Sequence, residues 1–335
     1  MRTKKKWIFF SLIMVSVLVL AAFFSQPAYG QKTVEWRMIS SWGPENPNTR
    51  LFLTPFVEKI NQRAKGRLKI SWVGPEAVPP FEQLKPVREG LFNLSFTHSA
   101  YHFGEVSLAT GLEFYPATAK EMRSAGLFEI VDEAYREKAN VTYLAGGVDG
   151  VGYHLMLNKK IKKADLTGLK IRTSPFYDPL ITALGGAPVR VAPGEIYTAL
   201  EKGVVEGACW PLFGVLDYKW YEVVKYMVRP LFGVSIVSVL VNLDNWNQLP
   251  KDLQELLTKI SIEMEEEYYV NMGDLCERDE KELLKRGMEL IVLPPKEAEK
   301  YLNLFSERSW EELILKRNPE FGPRLKEAVD RMRKQ

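Results

Sequence analysis

The chain has 335 residues, of which 46% are hydrophobic and 26% charged, with three histidines and a formal net charge of +3. The positive sign belongs to the first thirty residues: beyond Gly30 there remain 41 lysines and arginines against 42 acidic residues, so the bulk has no charge excess of the kind nucleic acid or an acidic surface would require. The residues that follow exceed what a single core usually holds and predict two lobes.

The N-terminus opens with Arg2 and Lys4-Lys5-Lys6, runs uncharged from Trp7 to Phe24 and reaches Ala28-Tyr29-Gly30, a small-x-small site. That order reads as a secretory signal peptide over residues 1–30. The apolar run is also long enough for an uncleaved anchor. Either way the bulk is expected outside the cytoplasm. Cys209 falls in a strand-like run and Cys276 in a long helix, which predicts two separate buried thiols rather than a disulfide.

From Val34 the pattern alternates strand and helix. Val34–Ile39, Leu68–Val73, Leu91–Phe96 and Val141–Leu144 read as strands, with helices over Leu51–Ala64, Phe81–Arg88 and Lys120–Lys138 between them. Gly146, Gly147, Gly150 and Gly152 mark a boundary where unusual backbone angles are expected. A second series follows: strands at Tyr153–Asn158, Lys170–Thr173, Ala187–Val191 and Glu206–Trp210, and helices at Phe176–Leu184 and Gly194–Lys202. Repeated βα traffic implies mostly parallel sheets covered on both faces. After a strand at Ser235–Leu243, Lys251–Arg286 is helix-compatible throughout, as one helix long enough to bridge two lobes or as two broken near Gly273. Glu299–Ile314 and Arg324–Met332 read as closing helices.

Motifs for common chemistries are missing from the sequence. No GxGxxG follows a strand, and GxxxxGK[ST], HExxH, CxxC and GxSxG do not occur. His98 and His102 are four apart, but no acidic residue lies between them, and polar residues at a cleft or surface are the better reading of these and of His154 than a zinc site. Arg172 stands out because its strand ends at Thr173-Ser174-Pro175, so its guanidinium leaves a carboxyl end, where open α/β sheets bind ligands. A guanidinium offers a planar donor fork matched to a carboxylate.

The elements "GLKIR", "ALGGAPVRVAPGEIYTALEKGVVEG", "FVEKINQRAKGRLKISW" and "VNLDNWNQLPKDLQELL" resemble the solute-binding proteins of tripartite ATP-independent periplasmic (TRAP) transporters, the DctP family. The resemblance runs from leader to long helix in the family's order. It implies an α/β, two-lobe periplasmic-binding-protein-like fold with a long helix spanning both lobes, an exported periplasmic receptor without catalysis, and Arg172 as the residue that binds a substrate carboxylate. On this reading, residues 31–150 plus 238–277 form the first lobe and 151–237 plus 278–335 the second. The lobes are expected to close about strands near Gly150 and Leu240.

Two departures bear on the ligand. Many relatives carry Asn-Pro, and the α-keto-acid branch Glu-Trp, where this chain has Cys209-Trp210-Pro211, so neither a cation nor any other cofactor is expected. The extra arginine of the sialic-acid branch has no counterpart near Gly152-Tyr153. The indole of Trp210 is expected to line the binding site and to keep its N–H free for one bond. Tyr101, Phe213, Trp42, Tyr153 and His98 complete the candidate set. The expected partners are a small organic carboxylate and the TRAP membrane subunits, the receptor acting as a monomer. Competing readings are a secreted α/β hydrolase or lyase built from dispersed residues, and a membrane-anchored ligand sensor.

Overall fold

A computed structural model describes residues 33–334; the leader lies outside the described residues. Two sheets carry the fold. The first has the order β2-β1-β3-β10-β4, from β1 (Val34–Ser40), β2 (Leu68–Val73), β3 (Leu94–His98), β4 (Val141–Val148) and β10 (Ile236–Asn242). The second has the order β11-β9-β5-β8-β6-β7, from β5 (Tyr153–Leu157), β6 (Lys170–Thr173), β7 (Ala187–Arg190), β8 (Gly207–Pro211), β9 (Tyr226–Arg229) and β11 (Glu289–Val292).

The sheets are mixed, not mostly parallel as the βα alternation implies. β10 lies antiparallel to both β3 and β4, and β5 antiparallel to β8 and β9, while β1–β3, β6–β7, β6–β8 and β9–β11 are parallel. The reason is connectivity: the chain crosses between sheets three times, and each of the first two crossings inserts a strand running against its neighbours. β10, Ile-Val-Ser-Val-Leu-Val-Asn, is buried along its whole length, as a central strand covered on both faces requires.

The first two crossings are residues 149–152 and the segment before β10; the third is the long helix between β10 and β11. Leu240 is not at the second crossing: it sits inside β10, bonded to strands on both sides. The four boundary glycines divide by cause. Gly150 and Gly152 take positive φ, +69° and +84°. Gly146 and Gly147 lie within β4, where space decides, because a Cβ on Gly147 would sit 2.8 Å from the Phe52 ring. Asp149 ties the first two crossings together, its Oδ1 accepting from the backbone N–H of both Val151 (3.2 Å) and Ser235 (3.0 Å).

The long helix runs unbroken from Lys251 to Lys285, about 52 Å at 1.5 Å per residue, through Gly273. Its first part packs on the first sheet, where Glu265 accepts from the Gly146 N–H at 2.8 Å and pairs with Arg123 at 2.7 Å. Its last turns reach the second sheet, where Arg229 of β9 donates to Glu280 at 2.6 Å. The helical run over 120–138 is split by Gly126, at φ +73°, into Ala119–Ser124 and Leu127–Ala139. The closing segment is Pro295–Ser309, a π-helical turn at Trp310–Leu315 and Phe321–Met332, which packs against Leu127–Ala139. Cys209 and Cys276 are both free and buried.

Candidate ligand-binding site

The strand ends decide which side chains meet between the sheets. β1 ends before Trp42, β3 ends at His98 and continues into the turn that holds Tyr101, and β6 and β8 deliver Arg172 and Trp210-Pro211. Tyr153 arrives from the start of β5, opposite Pro211 in antiparallel register. One cavity is lined by all seven residues singled out from the sequence: Arg172, Trp210, Tyr101, Phe213, Trp42, Tyr153 and His98. Asn48, Ser174, Tyr177, Pro211 and Ser235 complete the lining. Its volume is about 20 Å³, room for roughly one or two waters.

Arg172 is 0% exposed. Its Nε donates to the Val191 carbonyl at 3.0 Å and its Nη1 to the Cys209 carbonyl at 3.3 Å, while Nη2 is buried without a hydrogen-bond partner. The guanidinium carbon lies 5.0 Å from the centre of the Trp210 ring. No carboxylate pairs with it among the described residues, since Asp178 is taken by Arg190 (2.8 Å). Burial pulls the Arg172 pKa below its ordinary value, with the neighbouring Tyr101 pushing the other way. A buried cation held only by carbonyl dipoles and a ring face is short of an anion.

Trp210 contributes its ring face but not its N–H. Nε1 donates to the Phe213 carbonyl at 3.2 Å, a closure of the strand end that the residue types did not reveal. The unsatisfied indole is that of Trp42, whose Nε1 is buried without a partner and whose ring packs against Tyr101 at 5.8 Å. Burial pushes the Tyr101 hydroxyl well above the ordinary phenol range, so it stays protonated. The Cys209 thiol is likewise pushed up by burial and stays neutral, so it offers no anionic ligand to a cation. Among the described residues no cluster of three His, Cys, Asp or Glu side chains has the arrangement to hold a metal.

The three histidines separate. His98 is at the cavity, with Nε2 2.9 Å from the Tyr153 hydroxyl. His102, expected at a cleft or surface, is instead buried against the Tyr135 hydroxyl at 2.6 Å. His154 is buried with neither ring nitrogen bonded, and it does not line the cavity. Besides the five further lining residues, the sequence reading missed Glu113, fully buried on the Leu108–Phe114 turn and bonded to Ser99 and Tyr153. No motif surrounds it; a lone acid in the apolar run "LATGLEF" is its only signal.

Comparison with known proteins identifies the family. Residues 39–314 match the family described as bacterial extracellular solute-binding protein, family 7 (DctP). The monocarboxylate 2-oxoacid-binding periplasmic protein of Nostoc sp. is 29% identical over 248 residues, covering 70% of this chain and 67% of that protein. A TRAP solute-binding protein from Bordetella bronchiseptica, solved with copurified calcium and picolinate, superposes with a TM-score of 0.79 at 25% identity over 88% of this chain and 91% of that one. The TRAP periplasmic solute-binding protein of Desulfovibrio salexigens with bound orotic acid gives 0.80 at 20% identity, over 90% and 100%. Two sheets meeting over a buried arginine, a helix that reaches both, and a family match across most of the sequence lead to one assignment: this chain belongs to the DctP family of bacterial extracellular solute-binding proteins.

Proposed function

We propose that the protein is the extracytoplasmic receptor of a TRAP transporter. It captures a small organic monocarboxylate through Arg172 and delivers it to the transporter's membrane subunits. The observation that carries this reading is the fully buried Arg172 with an unpartnered Nη2 at a cavity between two sheets. A carboxylate supplies the missing charge and a planar pair of acceptors in one group. Trp210, Trp42, Tyr101 and Phe213 then wall the acid's body, with Tyr153 and His98 at the polar end. The lobes follow the two sheets, and they separate about residues 149–152 and the segment before β10 to admit the ligand.

The relatives support the class: their bound acids are small and mostly flat. The ring face of Trp210 favours aromatic or branched monocarboxylates, then short 2-oxo or 2-hydroxy acids, then dicarboxylates, with sugar acids last. The test is a thermal-shift screen of organic acids on wild type and Arg172→Lys. An acid at a hundred times its Kd stabilises wild type by about 2.7 kcal/mol. Lysine, a point donor on the same strand, loses the fork, and its shift is expected to vanish. Equal shifts in both proteins would remove Arg172 from the binding site.

A further inference from the structure

Among the described residues, two buried side-chain nitrogens at the cavity have no hydrogen-bond partner: Arg172 Nη2 and Trp42 Nε1. Both can only donate. Arg172 comes from β6 of the second sheet, and Trp42 follows β1 of the first. The indole is held in place: the Trp42 backbone N–H donates to Ser40 Oγ at 3.2 Å, its carbonyl accepts from the same hydroxyl at 2.8 Å, and the ring packs 5.4 Å from Phe96 and 5.8 Å from Tyr101 between centroids. The Tyr101 hydroxyl neighbours both donors: burial raises its pKa, and Arg172 and Trp42 each oppose that, yet neither nitrogen meets it in hydrogen-bond geometry.

The rest of the lining makes no such demand. The hydroxyls of Ser174, Ser235, Tyr101, Tyr153 and Tyr177 turn to donate or to accept, and burial keeps the tyrosines protonated. His98 Nε2 has the Tyr153 hydroxyl at 2.9 Å. Asn48 gives its Oδ1 to the Tyr268 hydroxyl at 2.8 Å, which leaves Nδ2 as a further donor. No aspartate or glutamate lies in the lining among the described residues, so fixed donors outnumber fixed acceptors there. The missing partner is one the ligand brings. Resting on the reading of Arg172 as the carboxylate anchor, we infer that Trp42 is a specificity-determining residue of this site: its indole N–H donates to an acceptor carried next to the ligand's carboxylate, a 2-oxo oxygen or a ring nitrogen, and selects such acids over analogues with a methylene or ring C–H in that place. An analogue without the acceptor leaves the N–H buried and unpaired, which costs about 5- to 150-fold in affinity.

The experiment is calorimetry on pairs of acids that differ in that one acceptor: picolinate with benzoate, phenylpyruvate with hydrocinnamate, and pyruvate with propionate. In wild type the acceptor-bearing member of the tightest pair is expected to bind about 5- to 150-fold more tightly than its partner. Trp42→Phe keeps an aromatic ring against Phe96 and Tyr101 and removes the N–H. The ratio is then expected to fall to within about twofold of one, whereas a loss of shape alone would weaken both members together. If Trp42→Phe does not fold, benzothienylalanine incorporated at position 42, which has the shape of tryptophan with sulfur in place of the N–H, carries the same expectation. Equal binding, or equal rejection, of both members by wild type overturns the inference. So does a ratio that survives loss of the N–H, in favour of Asn48 where Asn48→Ala abolishes it. Failure of the anchor reading looks different: both members of a pair would bind Arg172→Met as tightly as wild type.

Discussion

The guanidinium of Arg172 rests on the ring of Trp210, 5.0 Å from its centre, and the same indole is pinned from behind by its N–H bond to the Phe213 carbonyl. The ring cannot turn to offer its N–H to a ligand without giving up that bond. Trp210 therefore acts as a platform that orients the guanidinium plane, leaving Nη2 as the unspent donor.

On the proposed reading, Arg172 is kept buried and charged at the expense of stability. Replacing a buried ion pair by apolar side chains is often neutral or stabilising by about 1–4 kcal/mol, and a buried cation with no anion has still less to lose. Arg172→Met is expected to melt at a higher temperature than ligand-free wild type and to show no ligand-dependent shift at all. Scanning calorimetry with and without acid checks both halves, and a variant less stable than ligand-free wild type would mean that the carbonyl contacts of Val191 and Cys209 fully compensate the charge.

Cys209 presents its thiol close to Arg172 and stays neutral. Dialysis against a chelator is expected to leave the acid affinity of wild type unchanged within about twofold, since no anionic side chain on this strand end holds a cation. Cys209→Glu reverses the logic: the new carboxylate pairs with Arg172 and competes with the ligand, and affinity is expected to fall by about 100-fold or more, as for loss of a buried charge pair. Affinity restored to that variant by a divalent cation would show that position 209 alone sets cation dependence.

Much of this was legible in the residues themselves. Nearly every strand of four or more apolar-alternating residues was found, and Arg172 could be singled out because β6 is flanked by unambiguous turn residues. What the periodicity could not carry was pairing. β9 (Tyr226–Arg229) and β11 (Glu289–Val292) went unread, and the antiparallel placement of β10 depends on neighbours about 95 and 140 residues away in sequence. The same limit hid part of the site. Ser235 is brought in by the second crossing and Asn48 by the Tyr268 hydroxyl of the long helix, which donates to it at 2.8 Å. Glu113 needed the meeting of three separate segments. Tyr177 and Ser174, in contrast, sit within a few residues of Arg172 and were missed only because neither residue type is distinctive.

Acid stability is set by opposing buried groups. Burial raises the Asp149 pKa to about 6, so its charge at neutral pH costs on the order of 3 kcal/mol, and the folded state gains stability as pH falls from 6 toward the unfolded value of 3.8. His102 and His154 run the other way: burial holds His102 at about 3 and His154 well below 6.5, so each contributes stability above 6.5 that is lost as pH falls, at up to about 1.4 kcal/mol per pH unit. Urea melts between pH 7 and 4 are expected to fall more steeply for Asp149→Asn than for wild type and less steeply for His154→Met. Parallel curves for all three would show that these groups titrate alike in folded and unfolded chains.

Two contacts join a loop of the first sheet to a loop of the second. Arg50 Nη2 meets Asp217 Oδ1 at 3.0 Å, and Asn46 Nδ2 donates to the Tyr218 hydroxyl at 3.0 Å, joining the loop after β1 to the loop after β8. The ion pair is substantially exposed and contributes no more than about 1 kcal/mol; the half-buried amide bond adds about 0.5–1.5. Together they bias closure by roughly 2- to 70-fold. The double variant Asn46→Ala/Arg50→Ala is expected to weaken acid binding by about that factor, mainly through faster release, without changing the ranking of acids, because neither residue lines the cavity. Solution scattering supplies the independent reading: the ligand-free variant should show a larger radius of gyration than wild type, and saturating acid should bring the two together. A weakened variant whose scattering profile matches wild type in both states would mean that the contacts act on the ligand path and not on closure.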